Sequence, residues 1–259
     1  MKNFVLLLLV LSIGAVSCTK LSTDKQKNSY VLGHNFGSEM RRSSSIDPEQ
    51  VMVGFNDQLR HVDKDPSSQS EPYSYLRGKE SAKMVKQFGI PIDAKSFALG
   101  FNDAFEKKKK LEKKAFRKIM SQLVKKINQF HKKVGEKFLT MNKTKKNIKE
   151  TASGLQYQIL KKGTGPRPSS KLSKVRVHYK GSLLNGTQFD SSYERNKPAE
   201  FPLNRVIKGW TEGLQLMNVG SKYKFFIPWK LGYGRRGSPP KIPGYSLLIF
   251  EVELLAIVK

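Results

Sequence analysis

Few side chains in this 259-residue chain have the types and spacing for bond-breaking chemistry. The four histidines, His34, His61, His131 and His178, are scattered without metal-ligand spacing. A single cysteine, Cys18, excludes a disulfide framework within the chain and any zinc cluster built on cysteine. Ser191 and Ser192 have no partner histidine or carboxylate in a nucleophile pattern. His178 is out of phase with an inward Val177–Tyr179 pair and reads as an ordinary strand residue rather than a base. No metal and no cofactor are expected. The last third offers aromatic side chains instead, including Tyr179, Phe189, Trp210, Tyr233 and Phe250. By pattern alone, Trp210 opens a short helix and Phe250 suits the core side of an alternating strand. Asp190 comes soon after an Asn185-Gly186 turn, where a turn role is the plainer reading.

The elements that must hold these residues are legible. Strand-like runs cover Leu155–Lys161, Val175–Leu184, Ser221–Ile227 and Ser246–Ile257. Apolar and polar residues alternate in Val175-Arg-Val-His-Tyr and in Leu247-Leu-Ile-Phe-Glu-Val-Glu-Leu, the period of a half-buried strand. Turn signals separate them at 162–166, at Asn185-Gly186 and in the Gly/Pro-rich stretch 232–244. One short helical segment, Lys208–Met217, lies between. This predicts an α+β domain, an antiparallel sheet wrapped on one helix.

Upstream the pattern is helical. Residues 29–57 and 74–103 are copies of one motif, sharing Ser-Tyr at one end and Gly-Phe-Asn-Asp at the other. Each copy reads as helix, loop, helix, with Asp47 and Asp93 as N-caps and Pro48 at a first helical position. A helix pair this small cannot bury its apolar face alone, so the copies pack on each other or on a second chain. Beyond them, no Gly or Pro occurs from Phe101 to Val134. Apolar residues recur at Phe116, Met120, Leu123, Ile127, Phe130, Val134, Phe138 and Met141, close to a 3.5-residue repeat. One helix is expected over roughly 103–141. Residues 107–150 carry 17 Lys and Arg against three Glu, about half of the chain's net charge of +27. A solvated face is the simpler account; a contact for anionic lipid or other polyanions is the alternative.

The chain begins with one Lys and an apolar run of about 14 residues ending in small side chains, the pattern of a secretory signal peptide. Ala15-Val-Ser-Cys18 is similar to a bacterial lipobox, which implies lipid attachment at Cys18; plain signal cleavage that leaves Cys18 as a free thiol is the alternative. Acylation would also consume a thiol that is a liability in an oxidising compartment.

The last zone resembles the FKBP-type peptidyl-prolyl isomerases. The resemblance rests on Gly154-Leu-Gln-Tyr-Gln, on Val177-His-Tyr-Lys-Gly-Ser-Leu-Leu-Asn-Gly-Thr-Gln-Phe-Asp-Ser-Ser192 and on Val206-Ile-Lys-Gly-Trp210-Thr-Glu-Gly-Leu. Leu231-Gly-Tyr-Gly234 and Leu247-Leu-Ile-Phe250-Glu-Val complete it. With its helices and basic stalk, the whole chain is similar to the macrophage infectivity potentiator branch. The resemblance implies an FKBP-like fold and rotation about X–Pro bonds in a dry aromatic pocket. Trp210 is its floor and Tyr179, Phe189, Val206, Ile207, Tyr233, Ile242 and Phe250 its walls. Asp190 is a buried carboxylate that polarises the site, and the Ile207 N–H and the Tyr233 hydroxyl are donors to substrate carbonyls. Gly232 and Ala199 stand where many relatives have a small apolar residue and an aromatic. Arg235, Arg236 and Lys241 make the bordering loop basic, favouring acidic or neutral residues beside the proline.

The expected domains are a signal peptide (1–17), a helical domain with the duplicated motif (18–105), a basic stalk and linker (106–150) and an isomerase domain (151–259). Expected partners are proline-containing polypeptides, the family's macrolide inhibitors and, through lipidated Cys18, a membrane of the bacterial envelope. No nucleic acid is expected. The N-terminal helices imply a homodimer, or a four-helix unit completed within one chain by the extra copy. A catalytically weak chaperone or surface binding protein is the alternative function.

Overall fold

Side-chain caps open three helices of the repeat. The computed structural model describes residues 21–43, 46–60, 73–108, 111–239 and 241–258. The leader, Cys18 and the linker 63–72 lie outside them. Helix α1 (Asp24–Met40) starts with a capping box: Gln26 N–H donates to Thr23 Oγ1 at 3.2 Å, and Thr23 N–H to Gln26 Oε1 at 3.1 Å. Helix α2 (Pro48–Leu59) is capped by Asp47, which accepts from Glu49 N–H at 2.9 Å. Helix α3 (Tyr73–Gln87) and helix α4 (Ala94–Phe105) form the second copy, with Asp93 accepting from Ser96 N–H at 2.8 Å.

The two copies pack on each other, and they do so crosswise. Helix α1 lies along α4 rather than along α2. The approach is backbone to backbone: a Cβ at Gly33 would fall 1.9 Å from the Phe97 carbonyl oxygen, so only glycine fits. The buried core here includes Tyr30, Val31, Phe36, Phe55, Phe97 and Phe101, with Phe55 and Phe97 stacked at 4.0 Å.

The stalk differs from expectation. Helix α4 stops at Phe105, and helix α5 starts afresh and spans Lys113–Asn142, 30 residues or about 45 Å. Lys107 takes a left-handed conformation (φ 58°) and Lys108 N–H closes back on the Asp103 carbonyl at 2.7 Å. Lys107 and Lys108 thus end the helix without glycine or proline. The apolar seam is buried at Leu123 and Ile127, whereas Phe130 and Met141 stay largely exposed. At its end Asn142 is buried, donating to Gln156 Oε1 at 3.0 Å, and Gln156 donates to the Leu139 carbonyl at 2.9 Å. The chain divides into two compact units within α5. One holds Met1–Lys86 with Ile90–Val124, the other Gln87–Gly89 with Lys125–Lys259.

The second unit contains an antiparallel sheet of seven strands: β1 (Lys149–Glu150), β2 (Gln156–Lys161), β3 (Lys174–Leu183), β4 (Gln188–Ser191), β5 (Ala199–Pro202), β6 (Lys222–Ile227) and β7 (Leu248–Val258). The order is β1-β2-β6-β7-β3-β4, and β5 also pairs with β3. Thus β4 and β5 share one edge of β3, β4 on Lys180–Ser182 and β5 on Lys174–Val177. The four expected strands are present, while β1, β4 and β5 were not legible. Strict alternation turns Val175, Val177, Tyr179 and Leu183 of β3 inward, and likewise Leu248, Phe250, Val252 and Leu254 of β7. This inner face wraps helix α6 (Lys208–Gln215), whose Trp210 and Leu214 join Met217 in the same core. The chain is an α+β protein, with helices first and an antiparallel sheet over a short helix after them.

Candidate active site

Trp210 occupies the first turn of α6 and is buried against the concave face of the sheet. Three rings meet it edge-on: Tyr179 at 5.1 Å, Phe250 at 5.2 Å and Phe201 at 5.7 Å, with interplanar angles of 87°, 79° and 86°. Phe189 adds an edge contact to Phe250 at 5.4 Å. Each such pair contributes about 0.5–1.5 kcal/mol beyond area burial, so the box holds its shape through ring geometry. The indole Nε1–H is buried with no acceptor among the described residues.

A β-bulge explains how Phe189 and Asp190 reach one pocket. On a regular strand, neighbours point to opposite faces. Here Gly181 pairs with Asp190 but Ser182 pairs with Gln188, leaving Phe189 as the extra residue. Phe189 therefore turns to Phe250 while Asp190 bonds inward-facing Tyr179. Gly181 completes the fit, since a Cβ there would meet the Phe250 and Phe189 rings at 2.6 and 2.7 Å. Neither reading of Asp190 holds in full: it is a strand residue rather than a turn residue, and its side chain is not buried but 43% exposed, the carboxylate held in a network at the edge of the site.

That network has three members. The Tyr179 hydroxyl donates to Asp190 Oδ2. Arg195 donates to Asp190 Oδ1 at 2.6 Å and to the Tyr179 hydroxyl at 2.8 Å. Burial pushes Asp190 up, but the hydrogen bonds from Tyr179 and Arg195 outweigh it and hold the carboxyl below its ordinary range. Burial, then the bond to Asp190, pushes the Tyr179 phenol up to about 12 against the opposing Arg195. At neutral pH the site therefore holds a carboxylate, a neutral phenol and a guanidinium.

The remaining expected residues gather around the same core. Ile242 is buried in it, and Val206 and Ile207 pack against it. Ile207 is the residue before α6; its carbonyl accepts from Trp210 and Thr211, while its N–H has no acceptor among the described residues. Tyr233 stands at the rim, 41% exposed, its phenol raised by burial and then by the Asp190 charge. The loop that carries Tyr233 is pinched by reciprocal backbone bonds between Ser238 and Ile242, at 2.8 and 2.9 Å. Lys241 reaches across to the Phe189 carbonyl at 3.3 Å.

Sequence reasoning missed two contributors and misjudged a third feature. Phe201 lies on short β5, and its only signal was an aromatic residue near the replaced aromatic at Ala199. Arg195 sits in a turn five residues past Asp190, with nothing in its spacing to mark it. Ser192 does have a histidine neighbour: His178 Nδ1 lies 3.0 Å from its Oγ. The pair is structural, because Ser192 is fully buried and accepts the Tyr179 N–H at 2.8 Å, while His178 stacks on Tyr193. A separate groove on the outer face, lined by Phe138, Phe226, Ile249 and lysines, has none of this chemistry.

Comparisons with known proteins agree with this geometry. Residues 165–255 match the model for FKBP-type peptidyl-prolyl cis-trans isomerase, and residues 70–159 match the domain amino terminal to it. The isomerase FkpA of Aeromonas hydrophila is 46% identical over 185 residues, covering 67% of this chain and 68% of that one. The outer membrane protein MIP of Legionella longbeachae is 33% identical over 249 residues, covering 96% and 92%. The crystal structure of FkpA from Escherichia coli superposes with a TM-score of 0.51 at 32% identity, covering 74% of this chain and 97% of that one. Likeness of this extent, running through both the helices and the sheet, means that the chain belongs to the FKBP-type peptidyl-prolyl cis-trans isomerases.

Proposed function

We propose that the chain rotates X–Pro bonds of polypeptides in the bacterial envelope, with the box around Trp210 as the seat of the reaction. The carrying observation is the convergence of Tyr179, Phe201 and Phe250 on Trp210, with the Asp190–Arg195 pair at the edge. Rotation breaks no covalent bond. Its barrier of about 18–20 kcal/mol is lost amide resonance, and the twisted amide is less polar than the planar one. A dry aromatic cavity that seats the prolyl ring on Trp210 favours the twisted form over the planar ground state. Phe189, Val206 and Ile242 exclude water around the ring. The free Ile207 N–H fixes one carbonyl of the peptide, and the Tyr233 hydroxyl another. Asp190, kept ionised by Tyr179 and Arg195, sets the field in which the carbonyl turns. The exposed cations Arg235, Arg236 and Lys241 on the bordering loop favour acidic or neutral neighbours of the proline.

The test is the cis-to-trans rate of a proline tetrapeptide. The intact chain accelerates it, and Trp210→Leu lowers kcat/KM by about tenfold or more, the loss of roughly 1.4 kcal/mol. Competition by a family macrolide accompanies this. Background rates in the intact chain would overturn the reading.

The leader and Cys18 support a lipid-anchored form, with residues 1–17 removed and Cys18 acylated. Several acyl chains hold a protein at a bilayer where a single chain is marginal. Labelled palmitate should enter the chain in a bacterial host and fail to enter Cys18→Ser. Equal labelling of the two would remove the anchor.

A further inference from the structure

The crosswise packing of the repeat has a two-fold relation within it. Ser29 Oγ accepts the Asp93 N–H at 2.8 Å, and Ser74 Oγ accepts the Asp47 N–H at 2.8 Å. Ser29 and Ser74 are equivalent positions of the two copies, as are Asp47 and Asp93. Exchanging the copies turns one bond into the other. The glycine contacts obey the same rule. A Cβ at Gly33 would strike the Phe97 carbonyl oxygen at 1.9 Å, and one at Gly78 the Val51 carbonyl oxygen at 1.9 Å. Gly33 is equivalent to Gly78, and Phe97 to Val51. This is the self-complementary pattern of an isologous interface, in which a patch meets its own counterpart.

Such an interface needs two copies of the helix pair. The first helix of each copy approaches the second helix of the other: α1 lies along α4, and α3 meets α2 where Gly78 closes on Val51 and Ser74 accepts the Asp47 N–H. A chain holding one copy could meet that need only from a second chain. The match to the family's amino-terminal domain covers 70–159, which holds the second copy and α5; the first copy lies outside it.

We infer that the first copy, α1 with α2, is a built-in second half: it occupies the self-association face of the second copy, so one chain forms the complete helical unit. The working particle then carries a single isomerase domain. The linker favours this closure. About 13 residues separate Leu59 from Tyr73, and a connection this short keeps the two copies at an effective concentration of about millimolar. Another chain at micromolar concentration competes poorly for the same face. Nothing in this inference depends on the isomerase reading.

Two measurements decide it. The first is the solution mass, by light scattering, of the chain from Thr19, which keeps every described residue. One chain per particle is expected from about 1 to 100 µM; a two-chain mass overturns the inference. The second separates a closed chain from two chains that exchange copies, since these share the same contacts. The chain from Thr19 contains no cysteine, so Ser29→Cys with Asp93→Cys, and separately Ser74→Cys with Asp47→Cys, introduce one pair each. After oxidation, a non-reducing gel should show a single-chain band of altered mobility for both pairs. Disulfide-linked two-chain bands would overturn the inference even if the mass at low concentration were that of one chain.

Discussion

Asp190 is the residue whose chemistry most depends on its neighbours. Its folded pKa is depressed, so its contribution to stability is present above the unfolded value of about 3.9 and is lost as pH falls through the folded one. Tyr179 has the opposite sign: raised to about 12, its neutral phenol contributes below about pH 10, and that contribution fades as pH rises through 12. Activity should therefore be flat between about pH 5 and 9, with losses only in strong acid or strong base. A rate profile with a step near neutrality would contradict the assignment. Removing the carboxylate strands Arg195 and the Tyr179 hydroxyl. Asp190→Ala should lower kcat/KM by about 10- to 100-fold, as charge-assisted hydrogen bonds contribute about 1.5–3 kcal/mol. The tetrapeptide assay reads this directly.

Among the elements, the β3–β4 bulge decides the site. It puts two consecutive side chains on one face, and Gly181 leaves room for their rings. Gly181→Ala should lower the unfolding free energy by about 1–3 kcal/mol, read from a shifted denaturant midpoint, because the Phe189 and Phe250 rings must move to admit a methyl group. An unchanged midpoint would show that the rings yield freely. The same element marks the limit of what the sequence discloses. Strands β3 and β7 were legible because ten or more residues alternate against one buried face. Strands β4 and β5 were not, since four residues are too few to show a period and a bulge breaks it. Arg195 and Phe201 went unseen with them. The end of α4 was hidden for another reason: Lys107 adopts a left-handed conformation that glycine usually signals. The fold class and most of the pocket were thus readable, and the parts carried by short or irregular backbone were not.

The whole molecule bears a net charge of +27, and the loop beside the pocket shares its sign. A field of this kind raises the local concentration of anionic ligands and falls with ionic strength. Peptides with Glu beside the proline should be turned over about 3- to 10-fold better than peptides with Lys at low salt, converging near 1 M. A flat series would leave the loop without a part in specificity. Duplication has a different consequence at this scale. When identical chains associate, every heritable change strikes both halves together. Here each half has its own codons, and drift has already separated them. Leu32 is buried where its counterpart Arg77 reaches solvent and pairs with Glu80, and Phe97 stands in one half where Val51 stands in the other. Selection can therefore hold one half to the demands of folding while the other evolves a surface of its own.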